Sequence, residues 1–188
     1  MLNADLISRV LKKLKDLYAF DIRALSLMRI LVGVVLLTDL AIRSTSLTAH
    51  YTAEGIVPFK EVESAWWRHG YFSLMQFSDT FGWAVFIFVM AAIVYSCLLI
   101  GYRTKLFSVL AWLMLLSIQN RNHGILQCGD DELRLILLWG IFLPWGNFYS
   151  IDANRYPGLQ GETKYFDVPA IAYTLLIFSV YFFTGILK

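Results

Sequence analysis

Charge is scarce in this chain. Only 16% of its 188 residues are Asp, Glu, Lys or Arg, against about a quarter in soluble domains. Cysteine is scarcer still: Cys97 lies in an apolar run and Cys128 in a polar loop, with no CxxC spacing. A disulfide framework and a zinc site are therefore both unsupported, and no metal is expected. The net charge of +2 argues neither for nor against nucleic acid, and no nucleic-acid partner is expected. No internal repeat or low-complexity tract occurs. Residues 1–20 carry Arg9, Lys12, Lys13 and Lys15 but lack the small-residue cleavage site of a signal peptide.

What the chain has in quantity is apolar surface: 58% hydrophobic residues and a mean hydropathy of +0.60. The expected class is an all-α, polytopic membrane bundle with about five transmembrane helices and an amphipathic amino-terminal helix. At this length there is room for one bundle over 21–188 and no second domain of ordinary size. Within residues 1–20, Leu6, Ile7, Val10, Leu11, Leu14, Leu17 and Tyr18 follow helical i, i+3, i+4 spacing, with lysines largely opposite. That pattern suits a helix lying in the membrane interface, or one packed on the bundle.

The first span is expected at about 24–42, with Arg29 near its start. Asp39 and Arg43 stand four apart on one face, close enough to pair. A long loop follows, in which Trp66, Trp67 and Tyr71 have the character of interface anchors. The second span, about 82–101, carries no charge. The third and fourth apolar cores, Leu106–Ile118 and Leu135–Trp145, are short. At ~1.5 Å per residue neither covers a ~30 Å hydrocarbon layer. Each must borrow from the polar segment Gln119–Arg134, which holds Arg121, His123, Asp130, Asp131 and Arg134. Charge at that depth is tolerated only within protein or beside water, so a polar pocket or a re-entrant hairpin is implied. Asp130 and Asp131 are expected to pair with Arg121 and Arg134, the alternative being a cation site. The fifth span, about 168–187, is again uncharged, and Lys188 follows it.

Lys and Arg set the expected orientation. Side one holds nine: Arg9, Lys12, Lys13, Lys15, Arg23, Arg103, Lys105, Arg155 and Lys164. Side two holds six: Arg43, Lys60, Arg68, Arg121, Arg134 and Lys188. The amino terminus is thus expected in the cytoplasm of a cell-membrane, multi-pass protein, with 119–134 and Lys188 outside.

Five motifs occur in order: His50-Tyr51-Thr52-Ala53-Glu54-Gly55-Ile56-Val57-Pro58, Gly101-Tyr102-Arg103-Thr104, Asn120-Arg121-Asn122, Gly129-Asp130-Asp131-x-x-Arg134, and Ser150-Ile151-Asp152-Ala153. Together they resemble the HTTM (horizontally transferred transmembrane) domain family, whose domain is shared with vitamin K-dependent gamma-carboxylase. The likeness runs from about residue 20 to the end. Arg121-Asn122-His123 resembles the stretch carrying that enzyme's functional histidine, and Val180–Lys188 resembles the helix end carrying its essential lysine.

The resemblance implies catalytic roles for Lys188 and His123. It implies cofactor contacts from Asn122, Arg121, His50 and Tyr51; the residues themselves lead to the expectation that Asp130, Asp131, Arg134, Asp39 and Arg43 form a structural polar network. The implied cofactor is a reduced quinone of the vitamin K type. The implied partners are membrane lipid and a secreted peptide substrate or partner membrane protein. A desolvated lysine loses proton affinity and so can serve as a base, although a helix-end lysine more often snorkels to headgroups. Lys188 and His123 are expected within roughly 10 Å of each other, bridgeable by a head group or water. The chain departs from the carboxylase in lacking its further spans and large lumenal region. A non-catalytic role in maturation or export of secreted peptides is the alternative implied by other relatives.

Overall fold

The structure, a computed structural model, describes residues 8, 9, 12, 13, 15, 17–56, 72–156 and 163–186. The described part is all-α, with seven α-helices and one two-residue antiparallel strand pair. In chain order these are β1 (Phe20–Asp21), α1 (Ile22–Ser44), α2 (Leu47–Tyr51), α3 (Phe81–Ile100), α4 (Thr104–Gln119), α5 (Cys128–Gly140), α6 (Ile151–Arg155), β2 (Lys164–Tyr165) and α7 (Val168–Ile186). Short 3-10 turns occupy Leu74–Phe77 and His123–Ile125. Three helices, α1, α3 and α7, are long and apolar enough to cross a membrane. The described residues of the amino-terminal segment up to Tyr18 are helical. The expected anchors Trp66, Trp67 and Tyr71 lie outside the described residues.

Helix α1 starts where Asp21 caps it, its Oδ1 accepting the Arg23 N–H at 2.8 Å. Its inward stripe is Ile22, Leu25, Ser26, Arg29, Val32, Gly33, Leu36 and Leu40, the three-and-four spacing of a packed helix face. Helix α3 answers with Ala84, Ile87, Phe88, Ala91, Val94, Tyr95 and Leu98. A Cβ on Gly33 would sit 3.0 Å from the Leu99 Cβ, so glycine lets α1 and α3 approach closely. Helices α4 and α5 complete the core. The outward residues of the long helices are apolar too, Leu31, Val34, Phe86 and Ile93 among them, as a lipid-facing surface requires.

One end of the bundle is closed by Arg29. Its guanidinium is fully buried and donates to four carbonyls: Leu98 and Leu99 at 2.6 Å, Tyr149 at 2.7 Å and Trp145 at 3.1 Å. Leu98 and Leu99 end α3, where carbonyls lack helical partners and the dipole is negative. Gly101 stops α3 at φ +71°, its own N–H bonding Leu98 O and the Tyr102 N–H bonding Cys97 O. A Cβ there would lie 2.3 Å from Ser150 Cβ and 2.9 Å from Arg29 Nη1.

Asp152 then caps α4 from 48 residues away. Its carboxylate accepts the Thr104 N–H at 2.6 Å, the Thr104 hydroxyl at 2.8 Å and the Arg103 N–H at 2.9 Å. The Gly101–Thr104 and Ser150–Ala153 motifs thus interlock.

The fourth apolar run is helical only to Gly140. Pro144 has no N–H to offer the Gly140 carbonyl, and the chain folds Trp145 back over Gly140, where a Cβ would meet the indole at 2.1 Å. The Trp145 Nε1–H donates to Ser108 Oγ at 3.1 Å. At ~1.5 Å per residue, the 16-residue α4 and 13-residue α5 are each shorter than a hydrocarbon layer. As expected, α5 draws its first two turns from the polar Cys128–Arg134.

Helix α7 sets out from the strand pair at the Asp152 end. Tyr173 packs edge-on to Phe20, with ring centroids 6.1 Å apart, and its hydroxyl reaches Met28 Sδ at 3.2 Å. From there α7 runs toward the other end beside α5 and stays largely uncovered: only Ala170 and Tyr173 are buried.

Candidate functional site: a charged cavity at the His50 end

The ends of α1 and α4 and the starts of α5 and α3 meet at the end of the bundle opposite Asp152. Asp39 and Arg43 pair as their spacing predicts, Arg43 Nε lying 2.8 and 2.9 Å from the two Asp39 oxygens. Arg43 Nη2 then reaches Asp130 Oδ1 at 2.6 Å. The same Asp130 oxygen accepts from Gln119 Nε2 at 3.0 Å. Asp130 Oδ2 takes the Gln127 N–H at 2.9 Å, forming a capping box at the start of α5. Gln119 Oε1 accepts from Arg134 Nε, and Arg134 meets the exposed Asp131 at 3.5 Å. One polar chain therefore ties α1, α4 and α5 together.

Both expected acidic residues are ion-paired, but one partner differs. Asp131 pairs with Arg134. Asp130 pairs with Arg43 and not with Arg121, because the capping box turns its carboxylate toward α1. Arg121 points the other way, its Nη2 3.4 Å from the Thr52 carbonyl. Burial lowers its pKa, and the neighbouring Asp79 opposes that shift.

Beside the chain lie His50 and Tyr51. Tyr51 is buried, its ring edge-on to Phe88 at 5.0 Å. Burial raises the phenol pKa and the facing Arg43 opposes the rise. The His50 Nδ1 is 3.5 Å from Asn122 Nδ2. Asn122 is held in turn by the Gly124 N–H at 3.0 Å, and Asn120 donates to the Phe72 carbonyl at 2.9 Å. The 3-10 turn carries His123, whose pKa is lowered by burial first and then by Arg134.

These residues border a cavity of about 570 Å³. Its polar wall is Asp39, Arg43, His50, Tyr51, Gln127 and Asp130, and its apolar wall is Val35, Ile42, Ile125 and Leu133. Val35 and Ile42 also lie on the outward face of α1, 51% and 65% exposed. The cavity therefore opens sideways, from buried charge to the exposed apolar face of α1.

No family model, curated protein or solved structure matches the chain. The case for this site rests on its residues.

Of the residues anticipated from sequence, His50, Tyr51, Asp39, Arg43 and Asp130 converge on the cavity wall. Asn122 joins through His50, and Arg134 through Gln119. Arg121, His123 and Asp131 sit on neighbouring turns. Lys188 lies outside the described residues, and so does its expected distance to His123. Among the described residues, no three His, Cys, Asp or Glu side chains gather as a metal site.

Three residues were not anticipated: Gln119, Gln127 and Tyr95. The Tyr95 hydroxyl is buried in α3 without a hydrogen-bond partner among the described residues, within electrostatic reach of Asp39, Arg43 and Tyr51. A lone phenol in an otherwise uncharged span was the available signal.

The lowered His123 pKa gives a pH dependence. The folded chain takes up its imidazole proton less readily than the unfolded chain, whose ordinary value is 6.5. Stability is therefore held above that range and lost as pH falls through it. The wild type is expected to melt lower at pH 5 than at pH 7.5 by a margin that His123→Gln reduces, as read by thermal melting in detergent.

Proposed function

We propose that this chain is a five-span membrane protein of the HTTM type that binds a reduced isoprenoid quinone in the His50 cavity and uses it to modify a secreted peptide or small substrate. The observation that carries the reading is the sideways opening at Val35 and Ile42. An amphiphile with a polar head and an isoprenoid tail can place the head against Tyr51 and His50 while its tail stays in lipid. A buried phenol supports the fit, since the Tyr51 hydroxyl lies on the polar wall with hydrogen-bonding capacity to spare.

A reduced quinone supplies, on reaction with oxygen, a base strong enough to take a carbon-bound proton. The chain's residues bind and orient. Tyr51 donates toward a head-group oxygen, and Asn122 holds the His50 ring through Nδ1. Arg43 engages both Asp39 and Asp130, leaving the head to Tyr51 and His50. His123, whose pKa burial lowers, stands on the turn beside the cavity and is assigned the orienting of Lys188. Lys188, two residues beyond the end of α7, is assigned the initiating base. Lys188→Ala is expected to abolish quinone-dependent carbon dioxide incorporation while leaving detergent melting unchanged, because a helix-end lysine adds little packing. Unchanged incorporation in this variant would remove Lys188 from the mechanism.

The orientation that goes with this reading places the His50 cavity outside and the amino terminus in the cytoplasm. Cys128, exposed at the start of α5, is a native probe for it. An impermeant maleimide added to intact cells is expected to label Cys128, with the label lost in Cys128→Ser. Labelling only after lysis would invert the topology.

One observation favours a second, non-catalytic reading. Helix α7 is largely uncovered and presents Phe178 stacked on Phe182 at 5.4 Å, with Phe183 edge-on at 5.5 Å. A membrane partner seated there would make the chain an accessory to secreted-peptide maturation or export.

A further inference from the structure

A second cleft, of about 540 Å³, lies at the Asp152 end, between the start of α4 and the turn that follows α5. Its floor is apolar: Leu106, Leu143, Pro144 and Trp145. Leu106 is half exposed on the outer face of α4, so this cleft also leads out to lipid. Its rim is basic. Arg103 and Lys105 line it, and Arg155 stands beside it on α6.

The two arginines are brought together by a single ring. Arg103 Cζ lies 5.9 Å and Arg155 Cζ 5.2 Å from the centroid of Tyr102. Each gains from the ring face, and an anion that met both would offset the repulsion between them. Among the described residues no carboxylate pairs with Arg103, Lys105 or Arg155. Asp152, the one acid in the cleft, has both oxygens committed to Arg103 N, Thr104 N and Thr104 Oγ1. Arg103 is held at φ +41°, a conformation uncommon for a residue with a side chain. That backbone is fixed by the Asp152 bond.

We infer that this cleft is a headgroup site for an anionic glycerophospholipid, with the phosphate between Arg103 and Arg155, Lys105 alongside, and an acyl chain over Leu106 and Leu143. Guanidinium groups suit phosphate because they donate in a planar fork. The apolar floor leading to the bilayer favours a lipid over a soluble phosphate. The same end carries the larger share of Lys and Arg, so it faces the anionic cytoplasmic leaflet in the proposed orientation. The inference does not depend on the quinone reading.

Native mass spectrometry of the purified chain in detergent tests it, with phosphatidylglycerol and phosphatidylcholine supplied in equal amount. The wild type is expected to retain phosphatidylglycerol preferentially. Arg103→Gln/Arg155→Gln should lower that adduct about ten-fold and leave the phosphatidylcholine adduct unchanged. Excess inorganic phosphate should leave the lipid adduct in place. Equal phosphatidylglycerol retention by the variant would overturn the assignment. A parallel fall in both lipids would do the same, since it reports general surface damage. Stripping by inorganic phosphate would show that the cluster reads free phosphate.

Discussion

Arg29→Met is expected to destabilise the bundle by about 3–5 kcal/mol, the range for breaking a buried charged interaction, and to leave little folded protein in the membrane. The Arg29 guanidinium is wholly buried and serves Leu98, Leu99, Trp145 and Tyr149 carbonyls together. Methionine fills similar volume but takes the guanidinium from four acceptors in an apolar setting; Leu98 O keeps the Gly101 N–H, and each acceptor left unmet costs about 1–3 kcal/mol before relaxation. The effect falls short of their sum because chain ends relax and water enters. Arg29→Lys should recover only part of the loss. An ammonium is a point charge and cannot span carbonyls from the end of α3 and from the 145–149 turn at once. Thermal melting of detergent-solubilised protein, read beside yield, checks both variants.

Arg43→Gln carries the second large effect, also about 3–5 kcal/mol. Arg43 is the only cation between Asp39 and Asp130 among the described residues, at 2.8 and 2.6 Å. Without it two carboxylates face each other at the mouth of the cavity, and Asp130 keeps only Gln119 and its own helix cap. Adding Asp130→Asn to Arg43→Gln should recover stability, because one of the two stranded charges is removed. A double-mutant cycle on melting free energies measures that coupling. Asp131→Asn is the contrast. Asp131 is exposed and lies 3.5 Å from Arg134, so that ion pair contributes only about 0–1 kcal/mol. A cycle in which Arg43 and Asp130 behave independently would remove the network from the account.

The long helices could be read directly from sequence. Phe81–Ile100 and Val168–Ile186 are uncharged apolar runs and Ile22–Ser44 is apolar between a few charges, so their positions follow from hydropathy along the chain. The Asp39–Arg43 pair was legible for a similar reason, since four residues along a helix fix the geometry. The partner of Asp130 was not. Arg43 is 87 residues away, and its choice over Arg121 depends on a capping box that orients one carboxylate. The same holds for Asp152, whose bonds to α4 close a gap that local spacing does not reveal. The end of the fourth apolar run was hidden too. Hydropathy continues to Trp145, but Pro144 and the close fit of Trp145 over Gly140 end the helix five residues earlier. Tyr95 went unremarked because one hydroxyl barely changes the hydropathy of an apolar span.

The central claim is that the His50 cavity holds a lipid-soluble quinone head. Its most direct test is mass spectrometry of lipid extracts from the purified chain, comparing wild type with Tyr51→Phe, which removes one hydroxyl and preserves the ring contact with Phe88. The account predicts that a quinone travels with the wild type in stoichiometric amount and is depleted in Tyr51→Phe, with phospholipid content the same in both. An extract that carries phospholipid but no quinone, or a quinone retained equally by both proteins, would contradict it.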